Sequence, residues 1–269
     1  MFVENFFLAL ALTTLAGLST GIGSFIAFFT KHTNKAFLSM ALGFSAGVMI
    51  YISFVELMPE SLEILEPIHG RELGAWIMTA GFFGGVFFIA LIDRMVPEHE
   101  NPHEARRVED IHGDPDIDRQ KLQRMGILTA LAIAIHNFPE GMATFFATLA
   151  DPTLGIAIAI AIALHNIPEG IAVAVPIYYA TRSRAKAFWL SLATGLAEPL
   201  GALIGFMILR PFMSPTVMGL IFAFIAGIMV FISLDELFPA AKEYDKGHLA
   251  IYALVAGMLI MAITLLLLM

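Results

Sequence analysis

The chain has 269 residues, of which 58% are hydrophobic and only 14% charged, where an ordinary globular domain carries about 25% charged residues. With a mean hydropathy of +0.82, its apolar surface exceeds what one interior can hide, so lipid is the solvent for much of the chain and a water-soluble fold is excluded. Fifteen basic residues against 23 acidic ones leave no basic patch to neutralise phosphates, which argues against nucleic acid as a partner; the absence of cysteine removes disulfides, thiolate nucleophiles and thiolate metal sites together.

A membrane-spanning helix needs about 20 mostly apolar residues. In chain order, eight stretches meet that requirement: 5–29, 36–58, 73–93, 125–149, 153–180, 186–209, 216–239 and 248–269. Each gap holds proline, charge or both. The first stretch has no basic segment before it and runs directly into further hydrophobic sequence, so it reads as a retained span and not a cleaved signal. Basic residues fix the orientation. Lys31 and Lys35, Arg94 to Arg124, Arg182 to Lys186, and Lys242 with Lys246 fall on one side, and only Arg71 and Arg210 fall on the other. The excess side is cytoplasmic. Both termini are then expected outside, and the polar segment 97–124 inside. That segment carries His99, His103 and His112 among many acids, and reads equally as a weak metal-capturing loop or as a solvated linker.

Internal repeats follow the same order. AGVMIYISFVELMP (46–59) matches AGIMVFISLDELFP (226–239) at an offset of 180, and more weakly GLSTGIG (17–23) matches GLAEPLG (195–201). The spans holding the two copies run in opposite directions, so the expected fold is an all-α integral membrane protein. It has eight transmembrane helices in a 3+2+3 inverted-repeat bundle, a single domain over residues 1–269. Such repeats are common in secondary transporters. The central pair carries a second duplication, AIAIHNFPEGMA (132–143) and AIALHNIPEGIA (161–172), at an offset of 29.

On a helix, residues three and four apart share a face. His136, Asn137 and Glu140 therefore project an imidazole, an amide oxygen and a carboxylate toward one region, and His165, Asn166 and Glu169 repeat this on the next span. Pro139 and Pro168 free the carbonyls of Ile135 and Leu164, and Gly141 and Gly170 allow close backbone approach. His136 and His165 lie roughly 16–18 Å into their spans at the helical rise, near half of the ~30 Å hydrocarbon core. Glu198, beside Pro199, lies at a similar depth in the sixth span. Charged groups there cost at least ~2.5–3.5 kcal/mol each on insertion scales. A divalent cation best offsets three clustered carboxylates, because coordination replaces like-charge repulsion. Imidazole, amide and carboxylate donors without sulfur suit Zn²⁺, Fe²⁺, Mn²⁺ and Co²⁺, and the donors outnumber what one zinc ion needs. Two adjacent metals bridged by Glu140 and Glu169 are the expectation.

Competing readings are weaker. One such motif alone is readily a proline kink held by interhelical hydrogen bonds; its duplication together with Glu198 is not. Intramembrane zinc proteases place a glutamate base directly after the first histidine, and here Asn137 and Asn166 stand in that position. The remaining histidines fall in loops or at a span edge (His32, His69, His99, His103, His112, His248), too few near the site for a membrane di-iron enzyme. With both rivals set aside the chain is not expected to be an enzyme, and since no phosphate-binding Gly-x-x-x-x-Gly-Lys-[Ser/Thr] loop is present, no ATP engine is visible and transport is expected to be facilitated or ion-coupled.

The paired HNFPEG and HNIPEG, followed by GLAEPLG, resemble the fourth-, fifth- and sixth-helix signatures of the ZIP (Zrt/Irt-like) metal transporters over essentially the whole chain. That resemblance implies a first metal held by His136, His165, Glu140 and Glu169, and a second by Asn137, Asn166, Glu198 and the shared carboxylates. Many relatives carry Asp where Asn166 stands, so the site here has one charge fewer. It also implies uptake of divalent cations, zinc and iron(II) first and then manganese, cobalt and cadmium, across a bacterial inner membrane, with the metal as cargo and no cofactor. A homodimer is a candidate assembly. Glu56 and Glu60 toward the outer end of the second span, and Asp235 and Glu236 toward the inner end of the seventh, form candidate entry and exit pairs; the alternative is simple contact with headgroup water. Met49 reads as a soft ligand or, with better odds, a packing methionine. A membrane metal sensor without turnover and a carrier of protons or organic solutes are the other functions this site chemistry allows.

Overall fold

The computed structural model describes residues 5–28, 35–95, 119–243, 245 and 247–268, and among these every regular element is helical. His99, His103, His112 and most of the polar segment 97–124 lie outside the described residues. In chain order the elements are α1 (Phe6–Ala27), α2 (Lys35–Ile52), α3 (Met58–His69), α4 (Arg71–Met95), α5 (Arg119–Ala150), α6 (Pro152–Thr181), α7 (Arg184–Gly195), α8 (Ala197–Leu209), α9 (Pro215–Ile232), α10 (Phe238–Glu243) and α11 (Leu249–Leu268). Seven stretches among the described residues are long and apolar enough to cross a membrane: Phe6–Ala27, Ser39–His69, Arg71–Arg94, Pro152–Val175, Arg184–Phe212, Pro215–Glu243 and Leu249–Leu267. The remaining expected span, 125–149, falls inside the 32-residue α5, which is not among those seven.

Proline chemistry explains where the helices depart from the expected spans. The second was expected to end at residue 58, before Pro59, yet helical winding continues to His69. A proline cannot donate to the carbonyl four residues back, and a five-residue π turn, Ser53–Leu57, takes up that mismatch just before Pro59. Its repeat copy, Ser233–Leu237, does the same before Pro239 and joins α9 to α10. In each turn a serine hydroxyl donates to the methionine carbonyl four residues earlier, Ser53 to Met49 and Ser233 to Met229, both at 2.7 Å. The sixth expected span, 186–209, is instead two helices meeting at Leu196. There Pro199 leaves the Gly195 carbonyl without an intrahelical donor.

Between α5 and α6 the chain turns at one residue. Asp151 is extended, and its carboxylate accepts from the backbone N–H of Thr153 (2.6 Å) and Leu154 (3.3 Å), capping α6. A turn this short folds the two helices into an antiparallel hairpin. His136 and His165, almost equidistant from Asp151 in sequence, are thereby set side by side.

Packing elsewhere uses close backbone seams whose partners correspond under the internal repeats. A Cβ at Gly141 would strike the Glu198 carbonyl, and its counterpart at Gly170 would strike that of Thr20. Gly227 meets the carbonyl of Phe82 on α4, and its counterpart Gly47 meets that of Leu254 on α11. Gly17 and Gly195 each abut the other's carbonyl. Such small-residue contacts let helices approach where lipid offers no hydrophobic drive. The buried core is built around Phe145, Phe146, Phe222, Ile158 and Ile162. Phe7, Trp76, Phe87, Trp189 and Leu267 are at the surface, as expected where acyl chains are the solvent.

Candidate metal centre

The hairpin of α5 and α6 brings four of the expected donors to one point. His136 Nε2 lies 3.4 Å from Glu140 Oε1 and 3.4 Å from Glu169 Oε1; His165 Nε2 lies 3.4 Å and 2.8 Å from the same two oxygens. The imidazoles stack with centroids 5.8 Å apart and planes inclined by 27°. All four side chains are buried. Both Nε2 atoms, both Glu140 oxygens and Glu169 Oε2 make no hydrogen bond among the described residues.

These separations have a chemical meaning. Zinc binds imidazole nitrogen at about 2.0–2.1 Å and carboxylate oxygen at about 2.0–2.2 Å, so neighbouring ligands on a tetrahedron sit about 3.3–3.5 Å apart. Three of the four nitrogen–oxygen edges match this spacing; the fourth, at 2.8 Å, is a direct hydrogen-bond distance. His136, His165 and Glu169 each offer a ligand atom within 4.8 Å of the others.

The two asparagines are anchored in corresponding ways. Asn137 Nδ2 donates to the Thr194 carbonyl at 3.1 Å, on the last turn of α7, and Asn166 Nδ2 donates to the Ala16 carbonyl on α1 at 2.9 Å. Each amide nitrogen is spent on backbone, which leaves each Oδ1 buried with no hydrogen bond among the described residues. Asn166 Nδ2 also donates to Glu198 Oε1, while Glu198 Oε2 has no such partner. Glu198 is fully buried. Asn166 thus links Glu198 on α8 to the turn of α6 that carries Glu169.

Of the candidate pathway residues, Asp235 is exposed, whereas Glu236 is buried with Oε2 3.3 Å from His136 Nδ1. Glu56 and Glu60 are half-buried. Met49 is fully buried in the apolar core. The Glu236–His136 contact escaped sequence reasoning, although its signal was present in a conserved-spacing repeat, Glu56 and Glu236 both sitting three residues before a proline.

Two comparisons with known proteins bear on this site. The family model described as "ZIP Zinc transporter" matches residues 5–120 and 96–265. The chain is 58% identical over 264 residues to a protein of Streptococcus mutans, covering 98% of each chain. It is 59% identical over 265 residues to one of Lysinibacillus sphaericus, again covering 98% of each, and 59% identical over 266 residues to one of Chlorobium limicola, covering 99% of this chain and all of the other. All three carry the name "Zinc transporter ZupT".

Proposed function

Because the chain belongs to the ZIP zinc transporter family, whose members are membrane transporters and not enzymes, we propose that it carries Zn²⁺ into the bacterial cell across the inner membrane. Fe²⁺ is the next cargo, with Mn²⁺, Co²⁺ and Cd²⁺ also accepted. The observation that carries this reading is the convergence of two imidazoles and two carboxylates, all buried, with three of the four nitrogen–oxygen separations at the ligand-edge length of a tetrahedral zinc ion.

In this reading His136, His165, Glu140 and Glu169 take the first ion. Asn137, Asn166, Glu198 and the shared carboxylates take the second, through side-chain oxygens that make no hydrogen bond among the described residues. Zinc is cargo, so the site must release it as well as bind it. One divalent ion balances two of the three carboxylates, and the third offers a place for a proton when the ion leaves. Eight spans in a 3+2+3 inverted repeat, α5 and α6 as the central pair, provide alternating access: the two three-span repeats exchange conformations around a fixed site. The matched glycine seams support that arrangement.

The test is competitive uptake of Zn²⁺, Fe²⁺, Mn²⁺ and Cd²⁺ into proteoliposomes. Wild type is expected to accumulate zinc down its gradient without nucleotide, and Glu140→Ala and Glu169→Ala to lose both uptake and bound metal. Zinc bound by purified wild type with no flux across the vesicle would overturn the transport reading in favour of a sensor.

A further inference from the structure

The internal repeats pair positions across the molecule: residues of 46–59 with those 180 later, and residues of 132–143 with those 29 later. Under that correspondence the contact between His136 and Glu236 has a counterpart, His165 with Glu56. Nearly everything around the two positions is duplicated. Both glutamates lie in five-residue π turns. Both turns carry the same serine-to-methionine hydrogen bond at 2.7 Å. Both asparagines beside the histidines are tied to a backbone carbonyl of corresponding helices. The carboxylate contact to the histidine is not duplicated. His136 Nδ1 has Glu236 at 3.3 Å, whereas His165 Nδ1 is buried with no hydrogen bond among the described residues, and Glu56 is only half-buried.

We propose that Glu236 and Glu56 are alternating positioning residues: Glu236 holds His136 in one access state, Glu56 holds His165 in the other, and each contact breaks as the other forms. The proposal rests on the transport reading. A carboxylate that accepts from Nδ1–H fixes the imidazole tautomer, leaves the Nε2 lone pair for the metal and raises its basicity. Nε2 of both histidines already faces Glu140 and Glu169. The exchange therefore moves the stronger nitrogen ligand from α5 to α6 while the shared carboxylates stay in place. A buried nitrogen without a partner is costly, so each state carries one such cost, and the symmetry of the repeats makes the two costs alike. This is what a carrier needs: two end states of similar energy, and cargo gripped by a different histidine in each.

Imidazole tautomers can be read directly in ¹⁵N-histidine spectra of the full-length, metal-free protein, with His136 and His165 assigned by single replacement. Glu236→Ala is expected to release His136 from its Nδ1–H form and to increase that form in His165, changing its ratio roughly fivefold or more. Glu56→Ala is expected to do the reverse. Glu56→Gln and Glu236→Gln keep an acceptor oxygen, so they should retain the wild-type tautomers and most zinc flux, which loss of a metal-binding charge would not permit. If Glu56→Ala leaves both imidazoles unmoved, or Glu236→Ala alters His136 alone, the alternation is wrong. Should the alanine variants fail to insert, the glutamine variants decide: tautomers or flux as disturbed as in a site-ligand mutant overturn it. Wild-type flux measured alongside separates the two ideas, since normal zinc flux with unresponsive spectra rejects only the exchange, and absent flux rejects the transport reading.

Discussion

Asn166 serves two acceptors at once, and its contacts set the consequence of changing it. Its amide nitrogen serves the Ala16 carbonyl and the fully buried Glu198 together. Asn166→Asp removes that donor and places a second carboxylate against Glu198. Without metal the protein should be less stable, by about 3–5 kcal/mol if both groups stay charged; with zinc the added charge should tighten binding. The expected result is a melting temperature in detergent that falls in chelator and rises more on zinc addition than in wild type, following the linkage between binding and stability. An Asn166→Asp protein that melts identically with and without zinc would contradict it. A contrasting case is Asp235, exposed beside the inward-turned Glu236: Asp235→Asn should leave zinc uptake within about twofold of wild type, the usual range for a surface change. The convergence of His136, Glu140, His165 and Glu169 was legible because helical spacing plus duplication places them on facing stripes without knowledge of tertiary structure. Glu236 was legible as an acid near the pathway but not as the partner of His136. Its aim depends on a π turn, and one extra residue per turn rotates every side chain that follows.

At the scale of elements, the structure depends on where backbones nearly touch. The central hairpin is held to its neighbours by Gly141 against Glu198 and by Gly170 against Thr20, both at backbone carbonyls. A carbonyl cannot swing aside as a side chain can. Gly141→Ala and Gly170→Ala should therefore each cost about 1–3 kcal/mol through overpacking and also impair uptake, because Gly141 adjoins Glu140 and Gly170 adjoins Glu169. Gly70 differs in kind: its φ is +75° and nothing lies within 4 Å of where a Cβ would be. With ψ at 159° Gly70 lies in a region essentially restricted to glycine, so Gly70→Ala should cost only the backbone strain, roughly 1–3 kcal/mol, with uptake retained. Thermal unfolding and flux measured on the three proteins separate packing from strain. Apolar periodicity located these helices because span length is imposed by the bilayer. It missed the continuation to His69 and the break at Leu196, since both depend on how a particular proline is accommodated. Pro59 is absorbed by a π turn upstream, whereas Pro199 leaves a true interruption. Nothing in the two local sequences announces that difference.

Across the whole molecule, the distribution of charge and the repeat arrangement make a joint prediction about sidedness. By the order of the expected spans, the basic residues around positions 31–35, 94–124, 182–186 and 242–246 fall on one side in sequence, and Arg71 and Arg210 on the other. The positive-inside rule assigns the crowded end to the cytoplasm, which places Glu56 toward the outer face and Glu236 toward the inner one. The chain contains no cysteine, so a single introduced thiol reports its own location. Arg71→Cys and Arg210→Cys should react with a membrane-impermeant maleimide in intact spheroplasts, and Lys186→Cys and Lys242→Cys only after the membrane is opened. Zinc adds a second expectation. If the repeats exchange conformations around the site, a thiol at Glu60, on the outer half of the Ser39–His69 stretch, should change its labelling rate when the zinc gradient is reversed, while one at Arg71 beyond the helix should not. Labelling of all four positions from the same side would reject the orientation, and with it the assignment of Glu56 and Glu236 to opposite faces.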